Sequence, residues 1–203
     1  MAIIQADIID IKTDTPQQSD IFFVDTNVWF WQTYTNAVSG ANSYQRSNYP
    51  NYINLALSNG ATLTYSGLTL AELAHIIEKT EYDIYVKSNG YLHFKKYRHD
   101  YPTERANVVA EVQFTWRRIK KIAIPIDLTV DDATTDAAIN RFTTQAVDGY
   151  DLLMLEAISI AGAGTVKIIT DDMDYSVVPG IQVFTSNKYV IQDAAIQKKL
   201  VVR

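Results

Sequence analysis

Cysteine is missing from this sequence altogether, which excludes a disulfide framework and any thiolate metal site. The absence fits a reducing cytoplasm. No stretch approaches the roughly 18 uninterrupted apolar residues that a membrane-spanning helix needs. The opening Met1-Ala2-Ile3-Ile4-Gln5-Ala6-Asp7 has neither the positive region nor the apolar stretch of a secretory signal, so a cytoplasmic protein is expected. Histidine is scarce. His75, His93 and His99 are the three, and no pair has metal-ligand spacing beside a partnered acid. No phosphate-cradling glycine motif occurs, Ser66-Gly67 does not make a nucleophile elbow, and there is no internal repeat or low-complexity tract.

What is present is ordinary globular composition: 203 residues, 47% hydrophobic and 20% charged, enough for one substantial domain. The net charge of −5 argues against a protein that coats nucleic acid with its whole surface. The charge is uneven, however. Between Tyr85 and Lys121 nine Lys/Arg face three acids, giving +6 here and therefore −11 elsewhere. Aromatic residues share that segment: Tyr85, Tyr91, Phe94, Tyr97, Tyr101, Phe114 and Trp116. Cations that meet phosphates, interleaved with rings that stack on bases, suit single-stranded nucleic acid. A solvated helical hairpin with core aromatics would show the same composition.

Strand-like apolar runs alternate with helical patterns. Ile21–Val24 reads as a buried strand, with a helix starting near Asn27. Residues 39–51 are rich in turn formers and read as a loop, followed by a short helix over 50–57. A second strand spans Thr62–Tyr65, and Thr69 is expected to cap a helix running to about Thr80. Further helices are expected over 103–121, 131–140 and 148–161, the last closed by Gly162-Ala163-Gly164. Strands are expected over 122–126, Val166–Ile169 and 181–184. Such alternation implies parallel βαβ units and an α/β sandwich. A single domain over 1–203 is expected, with an irregular or strand-containing extension at 1–20 and an insertion at about 81–121.

Acidic residues follow three of the strand-like runs, and a further group opens a helix. Asp25 follows Val24; Glu72 comes soon after Tyr65; Asp148 and Asp151 open an apolar helix; Asp171, Asp172 and Asp174 follow Ile169. Parallel strands end at one edge of a sheet, where ligands bind. Carboxylates delivered there repel one another unless a hard cation sits among them. Each acid also has a plain structural reading. Asp25 and Asn27 could cap a helix, Thr69 to Glu72 forms a capping box, Asp148 or Asp151 could be an N-cap, and Thr170-Asp171-Asp172 could be a polar turn.

The stretches Val24-Asp25-Thr26-Asn27-Val28, Leu68-Thr69-Leu70-Ala71-Glu72-Leu73, Asp151 in its apolar helix, and Ile169-Thr170-Asp171-Asp172-Met173-Asp174-Tyr175 resemble, in this order, the four motifs of PIN-domain nucleases. The resemblance covers 21–80 and 145–186 and barely touches 81–130. It implies a three-layer α/β sandwich around a mostly parallel sheet, and a metal-dependent endoribonuclease that leaves a 5′-phosphate and a 3′-hydroxyl. By motif, Asp25, Glu72, Asp151 and Asp172 would be the catalytic, metal-binding acids, with Asp174 a possible fifth and Asp148 competing with Asp151. The implied cofactor is Mg²⁺ or Mn²⁺, hard ions that need only a few carboxylates. Thr26 and Thr170 would hydrogen-bond carboxylates or the scissile phosphate, and Asn27 would orient Asp25. Lys95, Lys96 and Arg98 are candidates for phosphate contact. RNA, an antitoxin-type protein and a second copy of the chain are the implied partners. Greater length than compact PIN toxins sets this sequence apart from them.

Other readings keep some of the same residues. A catalytically silent RNA- or protein-binding module would share the fold, and a Mg²⁺-dependent phosphatase could use Asp25 as nucleophile. Phosphatases of that kind commonly carry Asp-x-Asp, where this chain has Asn27 in the second place. His75, one turn after Glu72, could support the acids. Of the pair Trp29 and Trp31, either could stack a base or pack in the core.

Overall fold

The computed structural model describes residues 3–161 and 165–203. Six strands form one sheet: β1 (Asp7–Asp10), β2 (Ile21–Val24), β3 (Thr62–Tyr65), β4 (Ile124–Pro125), β5 (Val166–Ile169) and β6 (Ile181–Thr185). Their order is β1-β6-β5-β2-β3-β4, and every pair is parallel. Among the described residues eight α-helices surround it: α1 (Thr26–Thr33), α2 (Ser43–Ser58), α3 (Gly67–Asn89), α4 (Phe94–Asp100), α5 (Pro102–Ile122), α6 (Asp132–Thr144), α7 (Gly149–Ala161) and α8 (Lys188–Ile196).

Alternation along the strands builds the two interfaces of this sandwich. Ile9, Phe22, Val24, Ile169 and Phe184 face a core shared with α1, α2, α3 and α5. Their chain neighbours Ile8, Phe23, Ile168 and Val183 face the opposite core, filled from α6, α7 and α8. The fold is therefore α/β, with the sheet sandwiched between two helical layers. From β2 the chain winds outward through β3 to β4, then crosses to β5 on the other side of β2. Strand order reverses between β2 and β5, and the crevice beyond their carboxyl ends is where such sheets bind ligands.

Several boundaries differ from those expected. The polar stretch 43–49 is helical, because Gln45 Oε1 accepts from the Asn42 N–H at 2.8 Å while Tyr49, Tyr52, Ile53 and Ala56 are buried. Pro50 lies inside α2, removing one N–H from its ladder, and burial of that helix face outweighs the loss. Thr69 does not start α3. The helix begins at Gly67, and Thr69 Oγ1 accepts from the Ser66 N–H at 3.3 Å, so Glu72 lies deeper in the helix than a capping position. The expected strand at 122–126 shrinks to Ile124–Pro125, since α5 continues to Ile122. Helix α8 was not foreseen. The extension at 1–20 supplies the edge strand β1, paired with β6 from Asp7 opposite Gln182 to Asp10 opposite Thr185. The expected stop at Gly162-Ala163-Gly164 lies outside the described residues.

Segment 81–121 folds back on itself. Tyr82 packs edge-on against Phe94 and Tyr97, and Tyr85 contacts Tyr97 and Tyr101, with ring centroids between 5.0 and 5.5 Å apart. Trp116 packs against Tyr65. These rings are satellite core rather than open platforms for bases, although Tyr91 and Phe114 remain exposed.

At the end of the sheet opposite the switch point, Arg203 clasps two buried acids. Its guanidinium donates to both oxygens of Asp14 and both of Asp20 at 2.7–2.9 Å, and Lys167 Nζ reaches Asp20 at 2.5 Å. The same guanidinium lies 4.5 Å from the Phe184 ring centroid.

Candidate active site

The carboxyl ends of β2 and β5 bring Asp25 and Thr170 together. Thr170 Oγ1 donates to Asp25 Oδ2 at 2.8 Å and accepts from the Asp172 N–H at 2.9 Å. Asp25 occupies the N-cap position of α1, where its carbonyl accepts from the Trp29 N–H, yet its side chain makes no capping bond. The carboxylate, held on one oxygen by Thr170, is only 3% exposed. Burial, then the charge of Glu72, pushes its pKa up to about 7, with Asp172 adding to the rise.

Glu72, half-buried on α3, is likewise pushed up by burial and by the charges of Asp148 and Asp172. The Thr26 hydroxyl lies near enough to ease that charge. Even so, Glu72 Oε2 and Thr26 Oγ1 are both buried without a partner in hydrogen-bond geometry among the described residues. A buried, unpartnered carboxylate oxygen is costly unless something outside the chain satisfies it.

The two candidates on α7 separate cleanly. Asp148 is exposed and caps the helix, its Oδ1 accepting from the Tyr150 and Asp151 N–H groups at 3.0 and 3.1 Å. Asp151 is buried, accepts from Tyr175 Oη at 2.5 Å, and is pushed up to about 8 by burial and then by the charge of Asp25. Capping by Asp148 leaves Asp151 to face the other acids. Asp174 is raised by burial and by Asp172 and Asp148.

The adjacent aspartates after β5 also take different parts. Asp171 is consumed by structure: Tyr44 Oη, Gln45 Nε2 and Tyr49 Oη donate to it at 2.8, 2.7 and 2.5 Å, tying α2 to this loop. Asp172 uses Oδ1 to accept from the Asp174 N–H at 2.9 Å, and its charge raises the pKa of Asp25, Glu72, Asp151 and Asp174 alike. The sequence pattern alone could not say that Tyr175 would be the partner of Asp151. The hydroxyl that distinguishes tyrosine from phenylalanine at that place was the available signal.

Asp25, Glu72, Asp151, Asp172 and Asp174 therefore form one electrostatically coupled cluster, with Asp148 at its margin. Their donor set is all oxygen, which suits Mg²⁺ or Mn²⁺ and not a thiophilic metal. Among the described residues, no three of these side chains stand close enough to grip an ion as they are placed. Chemistry and the orphaned Glu72 oxygen fit a hard cation, while coordination would require the side chains to draw inward.

Arg98 does not stand open to phosphate as the sequence suggested. Its Nε and Nη2 bind the two oxygens of buried Glu78 at 2.8 and 2.5 Å, and Arg105 adds a third bond at 3.0 Å. Lys95 and Lys96 are exposed. His75 is exposed beside Glu78, in a depression of about 400 Å³ between α3 and α5, and its charge eases that of Glu72. Asn27 and Asp172 border another cavity, of about 430 Å³, which includes Trp31.

No family model matches this sequence, and no curated protein matches it either. Among solved structures it is similar to a chain of VapBC2 from Rickettsia felis, determined bound to a DNA fragment from the promoter. The TM-score is 0.49 and the identity 14%, over 81% of this chain and 98% of that one. The chemistry read here rests on the chain's own residues. Among the described residues no helix is long and apolar enough to cross a membrane.

Proposed function

We propose that this protein is a metal-dependent endoribonuclease of PIN type. One observation carries the reading: acids from three separate segments, Asp25, Glu72 and Asp151, meet at the switch point of a parallel sheet, each pushed up by burial and each also by the charge of Asp172. A stable fold gains nothing from such repulsion, whereas a site built for a divalent cation needs it. The resemblance of the four motifs to PIN-domain nucleases supports RNA as substrate.

Asp25, Glu72, Asp151 and Asp172 would hold Mg²⁺ or Mn²⁺, with Asp174 at the edge. The ion, when bound, supplies a water of lowered pKa and neutralises charge on the phosphoryl oxygens. The chain's own part is positioning. Thr170 fixes one oxygen of Asp25, Tyr175 fixes one oxygen of Asp151, and the N–H of Asp174 fixes Asp172, so the remaining oxygens are the ones left to bind. Lys95 and Lys96 would meet the RNA backbone away from the acids. An antitoxin-type protein and a second copy of the chain are the partners that the same resemblance suggests. A silent binding module is the weaker reading, because carboxylates crowded at the mouth of a site repel phosphate.

Cleavage of labelled single-stranded RNA in Mn²⁺, Mg²⁺ or EDTA, with wild type beside Asp25→Asn, tests the proposal. Cutting that requires the ion and disappears in the variant is expected. Well-folded wild type that binds RNA and never cuts it would favour the silent module.

A further inference from the structure

The cavity of about 430 Å³ adjoining the acids has an unusual lining for a site next to so much negative charge. Among the described residues, no lysine or arginine lines it. Its walls include the indole of Trp31 and the thioether of Met173, with the side-chain amides of Asn27, Gln45 and Asn187, and two aspartates border it: Asp171, already taken up by Tyr44, Gln45 and Tyr49, and Asp172 of the acidic cluster. An anionic ligand would be repelled there. A flat, neutral, polar group would not.

The two tryptophans of α1 divide accordingly. Trp29 is fully buried in the core, but Trp31 is half-exposed and borders the cavity, braced by Tyr49 with ring centroids 5.2 Å apart. Two of the amides are fixed in orientation. Gln45 accepts from the Asn42 N–H at 2.8 Å and donates to Asp171 at 2.7 Å. Asn187 accepts from the Tyr189 N–H at 3.1 Å and donates to the Asp171 carbonyl at 2.9 Å. Each amide nitrogen carries two hydrogens, so one on each is left over for a ligand. The side-chain amide of Asn27 makes no hydrogen bond among the described residues, leaving both its donor and acceptor ends available.

We propose that this cavity is a nucleobase subsite, in which Trp31 stacks on one base of a single-stranded nucleic acid and the amides of Asn27, Gln45 and Asn187 read its edge. Aromatic stacking joined to side-chain hydrogen bonds on exposed base edges is how unpaired bases are recognised. The volume is within the ordinary range for small-ligand pockets. The subsite deepens the nuclease reading and rests on it for the substrate class. Its place beside Asp172 means the base held would belong to a nucleotide next to the bond cut, so the enzyme would show a base preference at that position. Met173, unbranched and exposed, gives the pocket an adaptable wall.

Uncharged nucleosides probe the subsite in metal-free protein, because they carry no phosphate for the acids to repel. Adenosine, cytidine, guanosine and uridine are titrated against wild type, Trp31→Phe, Trp31→Leu and Met173→Ser, with tryptophan emission and equilibrium dialysis as readouts. At least one nucleoside is expected to quench wild-type emission. Trp31→Phe should lose that signal and keep binding, whereas Trp31→Leu should weaken binding from about fivefold to about a hundredfold, the range for loss of one stacked base. Met173→Ser, on the surface, should weaken binding by a smaller factor and guards against a core variant that fails to fold. In RNA cleavage Trp31→Leu should raise KM by the same factor, change kcat little, and flatten the base preference. Nucleosides that leave emission unchanged, or that bind Trp31→Leu as well as wild type, overturn the subsite. Trp31-dependent nucleoside binding by a protein that cuts no RNA would sink the nuclease reading and leave the subsite standing.

Discussion

Replacing Asp25 with asparagine should make the metal-free protein more stable in mild alkali while abolishing its activity. The carboxyl of Asp25 is held near pKa 7 in the folded chain against 3.8 for an unperturbed aspartate. The sign follows directly. Between those two values the folded state keeps a proton that the unfolded state has released, so stability falls as pH rises through this window and stays low above it. Each pKa unit is worth about 1.4 kcal/mol, which makes the full penalty about 4 kcal/mol and the part incurred between pH 5 and pH 8.5 about 3 kcal/mol. Asparagine carries no such cost, and its side-chain oxygen can still accept from Thr170. Urea or thermal unfolding in EDTA at the two pH values measures the difference. For a chain of this length the variant should gain about 5–10 °C in Tm relative to wild type on going to the higher pH. Added Mg²⁺ should then raise wild type toward the variant, by about 3 kcal/mol at a hundred times its Kd. A variant whose advantage does not grow with pH would refute the idea that these acids are held in mutual repulsion.

Three other substitutions separate the parts of the site and the fold. Asp171→Asn removes the charge that three donors from α2 converge on, and should cost about 1–3 kcal/mol in chemical denaturation, whereas Asp172→Asn should leave stability unharmed and remove activity. Tyr175→Phe should weaken Mn²⁺ binding about 10- to 100-fold by calorimetry with little change in Tm, since Asp151 loses the hydroxyl that aims it. Arg203→Ala takes the guanidinium from buried Asp14 and Asp20, leaving Asp14 only the Tyr52 hydroxyl and Asp20 only Lys167 and the Gln17 N–H, and should destabilise by about 3–5 kcal/mol. Burial alone would raise Asp20, but hydrogen bonds from Arg203, the Gln17 N–H and Lys167 outweigh it and hold the acid at about 2. That stabilisation is present above pH 4 and is lost as pH falls toward 2, so the acid limb of the wild-type stability curve should flatten in the variant.

The parallel layering was legible because its signals are local: short apolar runs bounded by turn residues, and helices whose buried positions recur with helical spacing. Asp25, Glu72, Asp151 and Asp172 could be named from their places after strands or at a helix mouth. Adjacent acids were ranked by the motif resemblance alone, which favoured Asp151 over Asp148 and Asp172 over Asp171; what physically separates them is which one meets a backbone N–H or a distant tyrosine. Helix α2 was read as a loop because serine, asparagine and proline suit turns, and burial of Tyr49 and Tyr52 overrode that preference. The pairing of Arg98 with Glu78 was not foreseen for a related reason. Glu78 is twenty residues away in the chain, and nothing local announces that its burial would demand a guanidinium. The pairing of β1 with β6 and the packing of α8 against β1 join segments from opposite ends of the sequence, beyond the reach of any local pattern, although a strand within 1–20 was allowed for.

The pairing of β1 with β6 has a consequence for synthesis on the ribosome. Contacts this remote in the chain form late, since the entropy of closing a long loop is lost before the strand pairing repays it. A nascent chain that has emerged only through α6 carries Asp25 and Glu72 but neither Asp151 nor Asp172, and it lacks the strand that must lie beside β2. Its carboxylates are then still unassembled. The acidic cluster can therefore assemble only after β5 and the segment that follows it have left the tunnel.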